Sequence, residues 1–195
     1  MKKLTTKSLI LCSLFASLIA VGAFIKVPIP VVPFTLQVLF TTLAGLLLGP
    51  RLAAISVGIY LLVGLVGVPV FTQGGGPSYI FQPTFGYLIG FLFGTYVTGY
   101  IAHKSSKHSL KGLIYASLVG LAIVYIFGTV YYYFIANYYL NSPITASAVI
   151  LYCCLVFLPG DITLCIVSSL IAKRTIPAIK KQVIANEFKK INILI

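Results

Sequence analysis

The chain has 195 residues, 59% of them hydrophobic and 8% charged, with a mean hydropathy of +1.07. Fourteen Lys and Arg stand against two acidic residues, Asp161 and Glu187, for a net charge of +12. This is not a soluble globular composition, and without aromatic–basic interleaving or a soluble domain to present a patch, the charge does not point to nucleic acid.

Apolar stretches of bilayer-crossing length recur along the chain and predict an all-α integral membrane bundle of six transmembrane helices, organised as a single domain. The first span covers about 8–25. It is too long, and too lacking in a small-x-small cleavage site, to be a signal peptide. The second and third spans, about 34–49 and 52–68, are joined tightly through Gly49, Pro50 and Arg51. The fourth covers about 84–102, with Gly86, Gly90 and Gly94 at every fourth position, a pattern for close helix packing. The fifth, about 112–140, exceeds one crossing and carries a crowd of tyrosines from Tyr125 to Tyr139. The sixth covers about 148–172 and leads into a basic tail, 173–195. Cys12, Cys153, Cys154 and Cys165 all fall in these spans, without zinc-ligand spacing, and read as small buried side chains.

Orientation follows from the basic residues. Six spans put both termini on one side, together with Lys2, Lys3, Lys7, Arg51, Lys104, Lys107, Lys111 and every cation from Lys173 to Lys190. The other side holds only Lys26. This asymmetry predicts a multi-pass protein of a bacterial cell membrane with both termini in the cytoplasm. Two outer loops are rich in turn formers: 26–37, with Pro28, Pro30 and Pro33, and 69–83, with Gly74, Gly75 and Gly76. Irregular backbone near membrane depth is tolerated where it is buried in protein or lines a cavity. Two such loops on one face suggest the walls and lid of an outward-opening pocket.

Asp161 stands in the middle of the sixth span, after Pro159 and Gly160. A charged side chain at the centre of a membrane helix costs about 2.5–3.5 kcal/mol on insertion scales, and intramembrane acids mark substrate or ion paths. The sequence has no P-loop, no H-E-x-x-H and no G-x-S-x-G, so a pump would need energy from another subunit. One outer-half carboxylate provides no acid–base pair, which disfavours a membrane enzyme. A purely structural membrane protein would leave Asp161 and the glycine loop unexplained. No catalytic residue, metal ligand or cofactor is expected.

Four blocks carry a specific resemblance: AFIKVPIPVVPFTLQ from Ala23 to Gln37, AGLLLGPRLAA from Ala44 to Ala54, GGGPSYIFQPTFGYLIGF from Gly74 to Phe91, and FLPGD from Phe157 to Asp161. In their order and spacing they resemble the BioY family, the biotin-binding S components of energy-coupling factor transporters. The resemblance implies an S-component bundle with a biotin pocket under the first and third loops. It also implies a transmembrane coupling (T) subunit as partner, driven by two ATPase subunits. Ala16 and Ala20 stand at the place where that subunit would pack. Asp161 would hold the ureido ring of biotin, helped by Gln37, Tyr79, Gln82 and backbone at Gly75 and Gly76. Lys26, the only outer cation, is a candidate for the valerate carboxylate on grounds of charge and side alone. The family's Pro-Gly-Asp is followed three residues later by a lysine, where this chain has Leu164. The alternative ligand is a related cofactor such as lipoate or dethiobiotin.

Overall fold

The computed structural model describes residues 6–27, 32–104 and 109–191, with side chains up to 177. Pro28, Pro30, Lys2, Lys3, Lys107 and His108 lie outside the described residues, as do the side chains of the tail cations beyond Arg174. The chain forms an all-α bundle. Its helices are α1 Thr6–Phe24, α2 Gln37–Leu48, α3 Pro50–Leu65, α4 Phe85–Lys104, α5 Leu110–Phe134, α6 Ala146–Ile150 and α7 Leu158–Ile191. A wider π-type turn, Ile135–Tyr139, extends α5. A second, Leu151–Leu155, carries α6 towards α7, so that the seven helices make six columns.

Four of these columns are long and apolar enough to cross a membrane: Thr6–Phe24, Phe85–Lys104, Leu110–Tyr139 and Ala146–Pro177. The other two, α2 and α3, are shorter. With 12 residues, α2 rises only about 18 Å. Its column is completed at one end by residues 32–36 and by a pair of two-residue strands. Those strands are β1 Lys26–Val27 and β2 Phe34–Thr35, antiparallel with Lys26 opposite Thr35. The late start of α2 leaves space above it. At its other end, Gly49 takes φ 79°, which suits glycine, and Pro50 follows in the first turn of α3, where its missing N–H is not needed.

The glycine ladder of α4 faces α5. A Cβ at Gly86 would lie 2.2 Å from the Tyr131 Cβ, one at Gly90 2.8 Å from the Val124 Cα, and one at Gly94 2.7 Å from the Gly120 carbonyl oxygen. The ladder therefore serves the bundle's own packing, bringing two backbones into near contact.

The sixth column differs from the single span that the sequence suggests at 148–172. It begins at Ala146, widens into the π-type turn, breaks at 156–157 and restarts as α7 at Leu158. Pro159 thus stands in a first helical turn rather than in a helix interior, and removes no ladder bond. The basic tail continues α7 as far as Ile191. Among the cysteines, Cys12, Cys153 and Cys165 are buried and Cys154 is partly so.

Candidate functional site

The Pro-Gly-Asp turn can be accounted for one residue at a time. Pro159 starts α7. Gly160 leaves room for Phe34 of β2, whose ring would sit 2.8 Å from a Cβ at that position. Asp161 falls in the first turn of α7, where the helix dipole favours a carboxylate; its own N–H donates to the Phe157 carbonyl at 3.0 Å. Its side chain is 6% exposed, and its Oδ2 accepts a hydrogen bond of 2.5 Å from the Tyr125 hydroxyl of α5. The other carboxylate oxygen keeps its acceptor capacity.

Asp161 lines a cavity in the space left by the short α2. The space between its walls is about 580 Å³ when counted out through the open mouth into solvent. Its walls are apolar: Phe34 and Phe157 have nearly parallel rings (4° between planes, centroids 6.5 Å apart), and Val38, Leu88, Phe91 and Val124 complete them. Tyr125 and Asp161 form one polar group on this lining. Gln37, Thr72, Tyr79 and Thr84 form a second. Among the described residues, no lysine, arginine or histidine lines the cavity.

The second group is tied together by hydrogen bonds. Gln37 Nε2 donates to the Tyr60 hydroxyl at 2.8 Å, and the Tyr60 hydroxyl donates to the Val70 carbonyl at 3.2 Å. The Tyr79 hydroxyl lies 3.0 Å from Thr72 Oγ1 and 3.3 Å from Thr84 Oγ1. Phe71 packs between the rings of Tyr60 and Tyr79, with centroids 5.3 and 4.5 Å away, and so joins the glycine loop to α3. Across the cavity, Tyr87 of α4 donates to the Cys153 carbonyl at 2.6 Å, fastening the π-type turn of the sixth column. Tyr131 donates similarly to the Ile80 carbonyl.

The structure brings Asp161, Gln37 and Tyr79 to this one cavity. Lys26, Gln82, Gly75 and Gly76 lie off its lining. Lys26 is exposed, and its ammonium donates to the Thr72 carbonyl at 2.7 Å, next to a residue that does line the cavity. Gln82 is exposed. The Gly76 N–H donates to the Gly64 carbonyl at 2.7 Å, so it is engaged within the fold. Leu164 is partly buried against the main core and does not line the cavity. Ala16, at 7% exposure, belongs to the chain's own core, and Ala20 is partly buried against that core. Sequence reasoning did not single out Tyr125 or Tyr87. For Tyr125 the signal is position: it is a phenol well inside a span, where a buried hydroxyl needs a partner, whereas Tyr87 stands in the first turn of α4, where an interfacial tyrosine is ordinary.

The fold and the cavity define a multi-pass membrane protein with an enclosed, mostly apolar small-molecule site. The family model described as BioY family matches residues 1–181. The chain is 46% identical over 174 residues to the probable biotin transporter BioY of Lysinibacillus sphaericus, with 89% of each chain covered. It is 39% identical over 137 residues to the biotin transporter BioY of Thermotoga maritima, covering 70% of this chain and 78% of that relative. In three dimensions it is similar to the S-component for biotin from an ECF-type ABC transporter. That match has a TM-score of 0.74 at 30% identity and covers 87% of this chain and 90% of the other. The chain belongs to the BioY family.

Proposed function

We infer that this chain takes up biotin as the substrate-binding subunit of an energy-coupling factor transporter, and that it is not an enzyme. The observation that carries the reading is Asp161, a buried carboxylate held on one oxygen by Tyr125 and facing an otherwise apolar cavity. Biotin's ureido group offers two N–H donors, which a carboxylate accepts in charge-assisted bonds. Its fused ring suits the aromatic and aliphatic walls. The valerate chain then runs towards the mouth, where Lys26 would release the Thr72 carbonyl to meet the carboxylate. Gln37 and Tyr79 contribute through their polar cluster, while Gln82, Gly75 and Gly76 shape the loop above.

The names of the relatives support biotin over other cofactors, and so does the chemistry of the cavity. Lipoate has no N–H donors for Asp161. Dethiobiotin keeps the ureido group and is the closer competitor. The coupling partners would be a transmembrane T subunit and two ATPase subunits, with membrane lipid around the bundle. Because Ala16 is packed within the chain's own core, Ala20 is the more available of the pair for a T subunit. The positive-inside asymmetry supports cytoplasmic termini, with the cavity opening outward.

The test is biotin binding by purified Asp161 variants. Losing a hydrogen-bond partner that is charged costs about 1.5–3 kcal/mol, so Asp161→Ala should weaken binding by well over tenfold. Asp161→Asn should be nearly as harmful, since an amide is the weaker acceptor. Parental affinity in both variants would put the polar end of the ligand elsewhere.

A further inference from the structure

Buried hydroxyls in this bundle follow a rule with two exceptions. Thr41, Ser56, Ser117, Ser168 and Ser169 each donate to the carbonyl four residues earlier, at 2.8–2.9 Å. Thr35 bonds Gln37, and Thr42 stands beside the Cys165 thiol, which itself donates to the Ser117 carbonyl. Among the described residues, Thr95 and Thr98 on α4, 3% and 2% exposed, have no hydrogen-bond partner for their side chains. A hydroxyl buried without a partner is unfavourable, because it gives up its bonds to water and gains none, so two of them side by side need an explanation.

Both line a small void where α2, α4 and α5 meet, and Thr41 and Thr42 line it from α2. Gly94 and Gly120 widen it. The Thr98 Oγ1 lies 1.9 Å from the place where a Cβ at Gly120 would stand, so it occupies space that the glycine leaves open. The void has room for about one water molecule. Val38, Phe91 and Val124 line both this void and the ligand cavity, and so form a shared apolar partition between them.

We propose that this void is a binding site for a structural water, held by the Thr95 and Thr98 hydroxyls from α4 and by Thr41 and Thr42 from α2. Four threonines on the lining can supply the two to four polar partners that a buried water requires, Thr41 as an acceptor because its proton is given to the Gln37 carbonyl. The water makes for Thr95 and Thr98 the bonds that the backbone makes for Thr41, Ser56, Ser117, Ser168 and Ser169, and it links α2 to α4 beside the ligand cavity. The partition of three apolar side chains then separates two polar spaces, and is the floor on which a ligand rests. This site stands on packing alone and does not depend on the identity of the ligand.

Radiolytic hydroxyl-radical labelling of the intact protein in lipid nanodiscs tests the site, because an ordered internal water generates radicals beside residues that bulk solvent does not reach. Leu121, 5% exposed, lines the void but not the ligand cavity, and is the reporter. Labelling of Leu121 in the parent should match that of residues on the protein's exposed loops. In Thr95→Val and Thr98→Val it should fall several-fold, while Thr98→Ser, which keeps a hydroxyl, should retain it. Phe91, which also faces the ligand cavity, serves as the control in folded variants. A parent in which Leu121 is not labelled overturns the proposal whatever the variants do. Equal labelling of Leu121 in the parent and in folded valine variants also overturns it.

Discussion

The α4–α5 pair and the sixth column lie on either side of the same cavity and are built in opposite ways. The pair is regular and tight: three glycines on α4 meet α5 so closely that a single added carbon would collide with backbone or with a Cβ. The sixth column is interrupted, with a π-type turn at Leu151–Leu155 and a fresh helix start at Leu158. A continuous membrane helix satisfies its own backbone and has no N–H to spare for a carboxylate. A restarted helix offers its positive dipole end instead, and it tolerates Asp161 there. The regular pair supplies a fixed wall and Tyr125; the interrupted column supplies the charge. The irregular backbone of the sixth column lies next to Asp161 and is fastened there by the Tyr87 hydroxyl on the Cys153 carbonyl, whereas the π-type turn of α5 comes only at its end, Ile135–Tyr139.

This contrast can be broken at its tightest point. Gly94→Leu would drive a side chain into the Gly120 carbonyl, 2.7 Å from where its Cβ must stand. Overpacking costs about 1–3 kcal/mol, and more where backbone blocks relaxation. The expected outcome is loss of monodisperse folded protein, read by size-exclusion chromatography and thermal unfolding. Gly58→Ala, where nothing lies within 4 Å of the new carbon, should leave folding intact. Equal tolerance at the two positions would remove the distinction between a tight pair and its surroundings.

A smaller effect is expected at the contact that joins the two regions. Tyr125→Phe keeps the ring and removes the hydroxyl from Asp161. A hydrogen bond is worth about 0.5–1.5 kcal/mol net, so biotin binding should weaken by roughly two- to tenfold, less than in Asp161→Ala. Equilibrium titration of the two purified variants checks the order, and a Tyr125→Phe variant worse than Asp161→Ala would reverse the roles given to the two residues. The smallest effect is expected at Leu164, one turn from Asp161 on the same helix face. Leu164→Lys should bind biotin at least as well as the parent and gain nothing for lipoate. A large loss of biotin binding would mean that Leu164 matters as packing, not as the place for an ammonium.

Much of this architecture is legible in the residues. The apolar runs announce a membrane bundle, and a carboxylate inside one of them announces the site. Asp161 and Tyr79 stood out in the residues, one as a carboxylate at an apolar depth and the other beside a glycine loop, while Gln37 entered only through the family resemblance; the structure puts all three on one cavity. The π-type turns were not, since Leu151–Leu155 has the same apolar composition as any helical stretch. Tyr125 was hidden among neighbouring tyrosines, and its partner is 36 residues away. Gly75 and Gly76 read as open backbone, yet the Gly76 N–H is already used by Gly64, a tertiary pairing that composition does not record. Ala16 looked like an outward small residue because a small side chain suits an outer helix contact as well as an inner one.

The central claim is that a ligand with N–H donors is read by Asp161 in an apolar cavity. The most direct measurement is calorimetric titration of the purified parent chain with biotin and, separately, with lipoate, which has an acidic tail but no ureido ring. The account predicts tight one-to-one binding of biotin, without turnover, and little or no heat from lipoate. Tight binding of lipoate with weak binding of biotin would contradict it.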